Sequence, residues 1–303
     1  MTDDAQVPAG RDELAALAAA HGLDIDPASL RIEEVGLDYR VAIGSTAAGE
    51  SWVLRVPRRP DVAEGIAAEA AILDVVRPRL SVAVPDWRIR STRLVAYPLL
   101  PGSPGLTVDP ATGEPVWHVD PTSRTYARAF GELLAELHGI DVDAAAAGGA
   151  VVETPDEVRT RRAGEVERVA GSFRVAPQLL ERWRTWIGED SFWPDRSVLT
   201  HGELYPAHVL VDEADRPTAV LDWTTAKVSD PGADLALHHA TAGREAFAVT
   251  LEAYEDAGGR TWPRLADHCA EHMAASPVGY GIYALITGRP EHRAAAQELL
   301  DPA

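Results

Sequence analysis

Four residues in one short stretch have the types that do chemistry: His201, Glu203, His208 and Asp222, within LTHGELYPAHVLVDEADRPTAVLDWTTAKVSDPGAD (199–234). A carboxylate follows the first imidazole by two residues, a second imidazole comes five further on, and Asp222 sits in an LDW turn. Their ligand types allow a hydrolytic metal site. A lone histidine beside a strand is more often structural, but four such groups at this spacing are hard to obtain as core filler. Apolar runs, Val209–Asp212 and Thr218–Leu221, flank a tight turn and deliver these polar groups onto loops, where sites are commonly built.

The surrounding elements follow from periodicity. RDELAALAAAHG predicts a short helix with Leu14, Leu17 and Ala18 on one face and Gly22 as its stop. Strands are predicted around Arg31–Ile43 and over Ser51–Val56, where alternation of Trp52, Leu54 and Val56 suggests a half-buried strand. A helix over Glu64–Arg77 and short strands at Val84–Arg90 and Arg93–Pro98 complete the first third. LLPGSPG (99–105) reads as a linker. Beyond it, Thr122–His138 carries Tyr126, Phe130, Leu133, Leu134 and Leu137 on one stripe. Ala144–Ala150 reads as a connection, Pro155–Ala170 and Gln178–Glu189 as helices, and everything after Pro231 as helix with breaks near Gly243, Gly258, Pro277 and Gly288. The run Arg159–Arg162 reads as a solvated helix face.

Composition narrows the class. The 303 residues carry 28 Lys+Arg against 47 Asp+Glu, a net charge of −19, and Lys227 is the single lysine. Such acidity argues against nucleic acid, whose binding neutralises phosphates. One cysteine, Cys269, excludes a disulfide framework or Cys-based zinc site within the chain. No apolar run approaches the roughly 20 residues of a membrane span, and the polar, acidic N-terminus is no signal peptide. The expectation is a cytoplasmic monomer acting on small molecules, with no nucleic-acid or membrane partner.

In its motifs the chain resembles a known family. HGELYPAH is similar to the HGDxxxxN catalytic loop of the aminoglycoside phosphotransferase and choline kinase group, which share the protein-kinase fold. LDW matches the place of DFG in protein kinases, and DPGAD (230–234) the DPxxD segment after it. Within the group the macrolide 2′-phosphotransferases are most similar. They carry His at the end of the loop, as His208 does, and share GLDYR, SWVLRVPRR, VPDWR and AYP. The resemblance runs from about Leu14 to the last helix. It implies an α+β, bilobal protein-kinase-like fold, with a small N-lobe of antiparallel sheet plus helix and a larger, mostly helical C-lobe. Residues 1–98 are then the nucleotide-binding lobe, 99–105 the hinge, and 106–303 the helical lobe with the catalytic loop and substrate pocket.

The resemblance also implies roles. The transition state of phosphoryl transfer is loose and highly charged, so catalysis is mostly positioning and electrostatics. Glu203 takes the place of the carboxylate that orients the acceptor hydroxyl and accepts its proton. His208 and Asp222 become metal ligands for magnesium, with manganese tolerated because imidazole suits magnesium less well. His201 braces the loop backbone, and Asp234 holds the loop by hydrogen bonds. GTP is implied as the favoured donor, with ATP as the alternative, and its base should lie along Ala96, Tyr97 and Leu99. Gly36 begins a thin phosphate-covering loop. Arg55 stands where protein kinases place a lysine, with Glu69 as its helix partner; the competing reading is a surface arginine on an edge strand. Met273, Pro277, Tyr280 and Tyr283 are the candidate walls of a macrolide pocket.

One departure bears on activity. The family has Asp where Glu203 stands, and a misplacement of about 1 Å can cost roughly a hundredfold in rate. The expected function is transfer of the γ-phosphate of GTP to a macrolide 2′-hydroxyl, giving resistance. The alternatives are a nucleotide-binding pseudokinase or disabled variant, and a kinase for an aminoglycoside or another small alcohol.

Overall fold

A computed structural model describes residues 10–34, 38–109 and 111–302. The chain divides into two compact units, Met1–Val119 with Pro206–Thr224 and Asp120–Tyr205 with Thr225–Ala303.

In the first unit, strands β1 (Arg31–Glu33), β2 (Tyr39–Ser45), β3 (Ser51–Pro57), β4 (Ile89–Arg90) and β5 (Val95–Pro98) form an antiparallel sheet in the order β1-β2-β3-β5-β4. Two helices belong to this unit, α1 (Arg11–Ala20) and α2 (Pro60–Val76). Leu14, Leu17 and Ala18 of α1 are buried with Leu54, Val56 and Ala96 in one core. The alternation in β3 predicts one wet face, yet Val53, Leu54, Arg55 and Val56 are all buried. The reason is that both faces are covered: Leu54 and Val56 pack in one core with α1, while Arg55 meets Glu69 of α2. Arg55 is therefore buried, on a central strand between β2 and β5, not a surface arginine on an edge.

The compositional boundary at 99–105 is not where the contacts divide. Strand β6 (Ser103–Pro104) falls inside that segment; β7 (Leu106–Val108) and β8 (Pro115–Trp117) form a hairpin after it. Strand β9 (Val198–Thr200) lies in the second unit, but the next two, β10 (Val209–Val211) and β11 (Pro217–Val220), return to the first. There β10 pairs with both β11 and β6. Backbone pairing thus ties the Pro/Gly-rich segment into the first unit.

The second unit is helical: α3 (Arg124–His138), α4 (Val142–Ala147), α5 (Pro155–Ala170), α6 (Pro177–Gly188), α7 (Gly232–Asp256), α8 (Leu265–Ala274), α9 (Ser276–Thr287) and α10 (Pro290–Leu300). The five stripe residues of α3 are buried. Its crossing of α7 is close: a Cβ at Gly131 would meet the Thr250 carbonyl oxygen at 2.3 Å, so only glycine fits. Of the tract read as a connection, Ala144–Ala147 lie in α4, which Asp141 caps by accepting from the Ala144 N–H, and only Gly148–Ala150 remain outside it. Thr154 and Glu157 form a capping box that starts α5. The break expected at Pro277 falls before it, because proline is tolerated in the first turn of α9. Strand β12 (Lys227–Ser229) pairs antiparallel with β9. Among the described residues no helix is long and apolar enough to cross a membrane.

Candidate active site

In the second unit, the β9–β12 ladder ends at Thr200↔Lys227, and the chain leaves it as His201-Gly202-Glu203. The loop is pinned from below. Asp234, wholly buried near the start of α7, accepts the His201 N–H at 2.9 Å on Oδ2 and the Gly202 N–H at 2.7 Å on Oδ1. His138 Nε2 of α3 lies 3.2 Å from Oδ2, and His138 Nδ1 lies 2.9 Å from the Tyr254 hydroxyl. Gly202 has φ +88°, and a Cβ there would sit 2.9 Å from the Thr225 carbonyl oxygen, so the turn requires glycine. His201 is buried; its Nδ1 accepts the Glu203 N–H at 3.3 Å, and its carbonyl accepts the Thr225 hydroxyl at 2.8 Å. Glu203 itself is exposed.

In the first unit, the β10–β11 hairpin sets the other two groups. The Leu221 N–H donates to the His208 carbonyl at 2.8 Å, so His208 and Asp222 emerge side by side from the hairpin's open end. His208 Nε2 and Asp222 Oδ2 are 3.9 Å apart. Two ligand atoms each about 2.1 Å from one ion lie about 3.0 Å apart when adjacent in an octahedron and about 4.2 Å apart when opposite, so the pair is within reach of a shared divalent ion after a small side-chain adjustment. Asp222 holds φ +59°, a left-handed backbone, and its Oδ1 accepts the Thr224 hydroxyl at 2.8 Å. Such conformations collect at functional sites.

Arg55 and Glu69 lie in the same unit. Arg55 Nη1 donates to Glu69 Oε1 at 3.1 Å, and both side chains are almost fully buried. The guanidinium stacks 4.0 Å from the Tyr39 ring centroid. Burial alone would lower the guanidinium pKa, but Glu69, Tyr97 and Asp222 outweigh it and raise it. Burial raises the Glu69 carboxyl; Arg55 pulls it down, while Asp222 pushes it up. The Arg55–Glu69 pair thus feels the charge of the proposed metal ligand.

The segment expected to read a nucleotide base is partly committed elsewhere. Ala96 and Tyr97 are buried strand residues, the Ala96 carbonyl accepts the Arg88 N–H at 2.9 Å, and the Leu99 N–H donates to Ser51 at 2.8 Å. The ladder takes up those backbone groups, while the Leu99 side chain is exposed. Gly36 lies outside the described residues.

A cavity of about 340 Å³ in the second unit is lined by Glu203, Thr200, Thr225, Asp230 and His272, and by three cations, Arg161, Arg162 and Lys227. Met273, Pro277, Tyr280 and Tyr283 do not line it. On α8 the inward residue is His272; Met273 is one residue on, about 100° around the helix. Tyr280 packs instead against the core around Val169, Trp183 and Trp186, and Tyr283 is exposed beside His292. The run Arg159–Arg162 is no mere solvated face. Arg159 pairs with Asp190 at 2.5 Å, Arg161 with Glu153 and Glu165, and Arg162 with Glu165 at 3.1 Å. Lys227 reaches Glu153 at 2.6 Å. Burial alone would raise the Glu153 carboxyl, but hydrogen bonds from Arg161 and Lys227 bring it down to about 2.

A buried cluster in the wall of that cavity also escaped the sequence. His268 Nε2 and His272 Nε2 each lie 2.7 Å from Asp230 Oδ2, and 3.2 Å from each other. These three residue types can hold a metal ion. The protons decide against it. The Trp186 indole N–H can only donate, and it donates to His268 Nδ1 at 3.0 Å, so neutral His268 carries its proton on Nε2, toward Asp230. A metal-bound imidazole does the reverse, with the free nitrogen donating. The cluster therefore ties α8 to the chain entering α7. Burial alone would raise the Asp230 carboxyl, but the two imidazoles hold it well below the usual carboxylate range.

Comparison with known proteins gives the family. The profile of the phosphotransferase enzyme family matches residues 31–268. The chain is 54% identical to the apoenzyme of macrolide 2′-phosphotransferase MphH from Brachybacterium faecium, covering 96% of this chain and 98% of that one, with a TM-score of 0.93. It is 43% identical to a macrolide 2′-phosphotransferase type I, covering 96% and 97%, with a TM-score of 0.89. It is 39% identical to YcbJ of Bacillus subtilis strain 168 over 290 residues, 95% of each chain.

Proposed function

The chain belongs to the phosphotransferase enzyme family, with the kinase-like α+β fold, and from that premise we propose that it transfers the γ-phosphate of GTP to the 2′-hydroxyl of a macrolide, a reaction that would confer resistance. The observation that carries this reading is whole-chain similarity to two macrolide 2′-phosphotransferases, joined to the Glu203 loop and the His208–Asp222 pair.

Each residue then has a task. Glu203 accepts the hydrogen bond of the 2′-hydroxyl and takes its proton as that oxygen bonds to the γ-phosphorus and the bond from γ-phosphorus to the β–γ bridging oxygen breaks, GDP leaving with the electron pair. Asp234 and His201 hold the loop, so that the carboxylate does not drift. His208 and Asp222 would hold magnesium or manganese, which would neutralise the triphosphate charge. Arg55, fixed by Glu69 and Tyr39, offers its remaining N–H groups to phosphate oxygen. Base recognition falls to backbone near Leu99 outside the ladder. ATP is the alternative donor, and the working form is a cytoplasmic monomer.

Glutamate at 203 supports a second reading, a nucleotide-binding pseudokinase. A transfer assay read by mass spectrometry decides. The protein is incubated with magnesium, GTP or ATP, and erythromycin or kanamycin. Phosphate added to erythromycin with GTP is the expected result. GTP binding with no transfer to either drug refutes the kinase reading and favours the pseudokinase.

A further inference from the structure

Asp230 and His272 both line the cavity beside Glu203, and their contact fixes which atom of the imidazole is left for a ligand. The Asp230 carboxyl, held well below the usual range, is ionised at neutral pH. Its Oδ1 accepts the Gly232 N–H at 2.8 Å, and its Oδ2 lies 2.7 Å from His272 Nε2. A carboxylate only accepts, so His272 carries its proton on Nε2 and a lone pair on Nδ1. In His268 the same lone pair is used by the Trp186 indole N–H at 3.0 Å. In His272 it has no hydrogen-bond partner among the described residues, although the side chain is only 7% exposed and forms part of the cavity wall. Burial brings the His272 imidazole down to about 4; Asp230 pulls it up, and His268 and Arg162 add to the lowering. At neutral pH the ring is therefore uncharged, and Nδ1 is an acceptor with nothing to accept. An incoming donor would recover what that costs.

We infer that His272 is a specificity-determining residue: its Nδ1 accepts the N–H of an ammonium on the carbon next to the reacting hydroxyl, while Glu203 takes the hydroxyl. This rests on the reading of the site as that of a macrolide kinase, whose acceptor sugar carries a dimethylammonium beside its 2′-hydroxyl. A tertiary ammonium has one N–H, and one lone pair meets it. An aliphatic ammonium holds its proton far more tightly than this imidazole, so it donates without giving the proton up. A cavity of about 340 Å³ takes one substituted sugar ring, so Glu203 and His272 meet the same ring. The surrounding charge does not repel a cation: Arg161, Arg162 and Lys227 are matched by Glu153, Glu165, Glu203 and Asp230, four carboxylates against three cations. A hydrogen bond from a charged donor to a nearly buried acceptor strengthens binding by roughly tenfold or more.

The test compares wild type with His272→Gln and His272→Asn. Glutamine sets an amide N–H where Nε2 stood and keeps the contact to Asp230, but leaves no acceptor at the Nδ1 place. Asparagine sets its carbonyl oxygen near the Nδ1 place and gives up the contact to Asp230. Titration calorimetry with GDP present gives Kd for erythromycin and for erythromycin N-oxide, which keeps the hydroxyl and the lactone but has no N–H. Any effect of Glu203 on the amine is common to the three proteins and cancels in the comparison. The expected result is a preference for erythromycin over the N-oxide that falls roughly tenfold in His272→Gln and stays within about twofold of wild type in His272→Asn. In wild type itself, the nitrogen NMR signal of His272 Nδ1 should move on adding erythromycin and stay on adding the N-oxide; a signal that erythromycin leaves in place overturns the inference whatever the stability of the variants. An unchanged preference in His272→Gln, with wild-type thermal unfolding, overturns it too. So does an equal fall in both variants, which would assign the effect to the Asp230 contact. Failure of wild type to bind erythromycin overturns it as well. Binding without phosphate transfer from GTP overturns the kinase reading alone, and the Kd ratios still decide the role of His272.

Discussion

Asp234→Asn should detach the catalytic loop without disturbing the core around it. The carboxylate accepts two backbone N–H groups, from His201 at 2.9 Å and Gly202 at 2.7 Å, and meets His138 Nε2 at 3.2 Å. Asparagine keeps the volume but has one oxygen and one donating NH2. If the NH2 takes the Oδ2 place, His138 can adapt by moving its proton to Nδ1, toward the Tyr254 oxygen 2.9 Å away. The His201 N–H cannot adapt, and it faces another donor. The opposite orientation strands the Gly202 N–H in the same way. Either way one buried backbone donor is left unpaired, at a cost of about 1–3 kcal/mol. The loop relieves that cost by moving, and a shift of about 1 Å at Glu203 lowers kcat roughly a hundredfold. Hydrogen exchange at the amides of 201 and 202, read beside kcat and KM, checks both links. Faster exchange at one of the two amides with a fall in kcat is expected, KM moving less. Wild-type protection at both amides, with kcat within about twofold of wild type, would refute the idea that Asp234 holds this loop.

Glu203→Asp restores the shorter carboxylate of the family and should raise erythromycin turnover by roughly tenfold or more; equal or lower turnover means that the backbone already compensates for the extra methylene. Glu69→Ala leaves the Arg55 guanidinium, 7% exposed, without its carboxylate and should cost about 3–5 kcal/mol in urea unfolding, whereas a loss under 1 kcal/mol would show the pair to be incidental. Glu153 is held down to about 2 in the folded chain. A depressed carboxyl stabilises the fold above its unfolded pKa, near the usual 4.5, and that stability goes as pH falls toward about 2. Screening by solvent leaves about 1–2 kcal/mol, and since pH 3 still lies above the folded value, wild type should lose roughly half of that or a little more beyond Glu153→Gln between pH 6 and pH 3. Equal losses in the two proteins would assign the acid sensitivity to other groups.

What was legible in the sequence was whatever short-range pattern encodes. The stripe of α3 and the hairpin flanking Ala214 are local; the caps at Asp141 and Thr154 are local too, but went unread. The order of His201, Glu203, His208 and Asp222 is local as well, and a resemblance can carry it residue by residue. Burial of Arg55 was not local: SWVLRV alternates whether its second face is wet or covered, and Glu69, Tyr39 and Trp87, brought there by the fold, decide it. The arginines of α5 looked solvated because Asp190 and most of the cavity wall come from elsewhere in the chain; Glu165, on the same helix at i+3 and i+4, could have been read from spacing. His268 and His272 stand one helical turn apart, a spacing that could have marked them as sharing a face. Their partner Asp230 lies 38 and 42 residues away, and only the fold brings it there.

Strand β6 waits for its neighbour. The first unit closes only with Pro206–Thr224, because β10 supplies the backbone partners of Ser103 and Pro104. On a ribosome adding about 5–20 residues per second, the stretch from 119 to 224 takes about 5–20 s to appear. Through that interval the N-terminal sheet has its five strands but lacks the hairpin that carries His208 and Asp222. A fragment ending at Val119 would therefore keep the Arg55–Glu69 pair yet have neither metal ligand, and the second unit must begin folding around a chain that still has to leave it and come back.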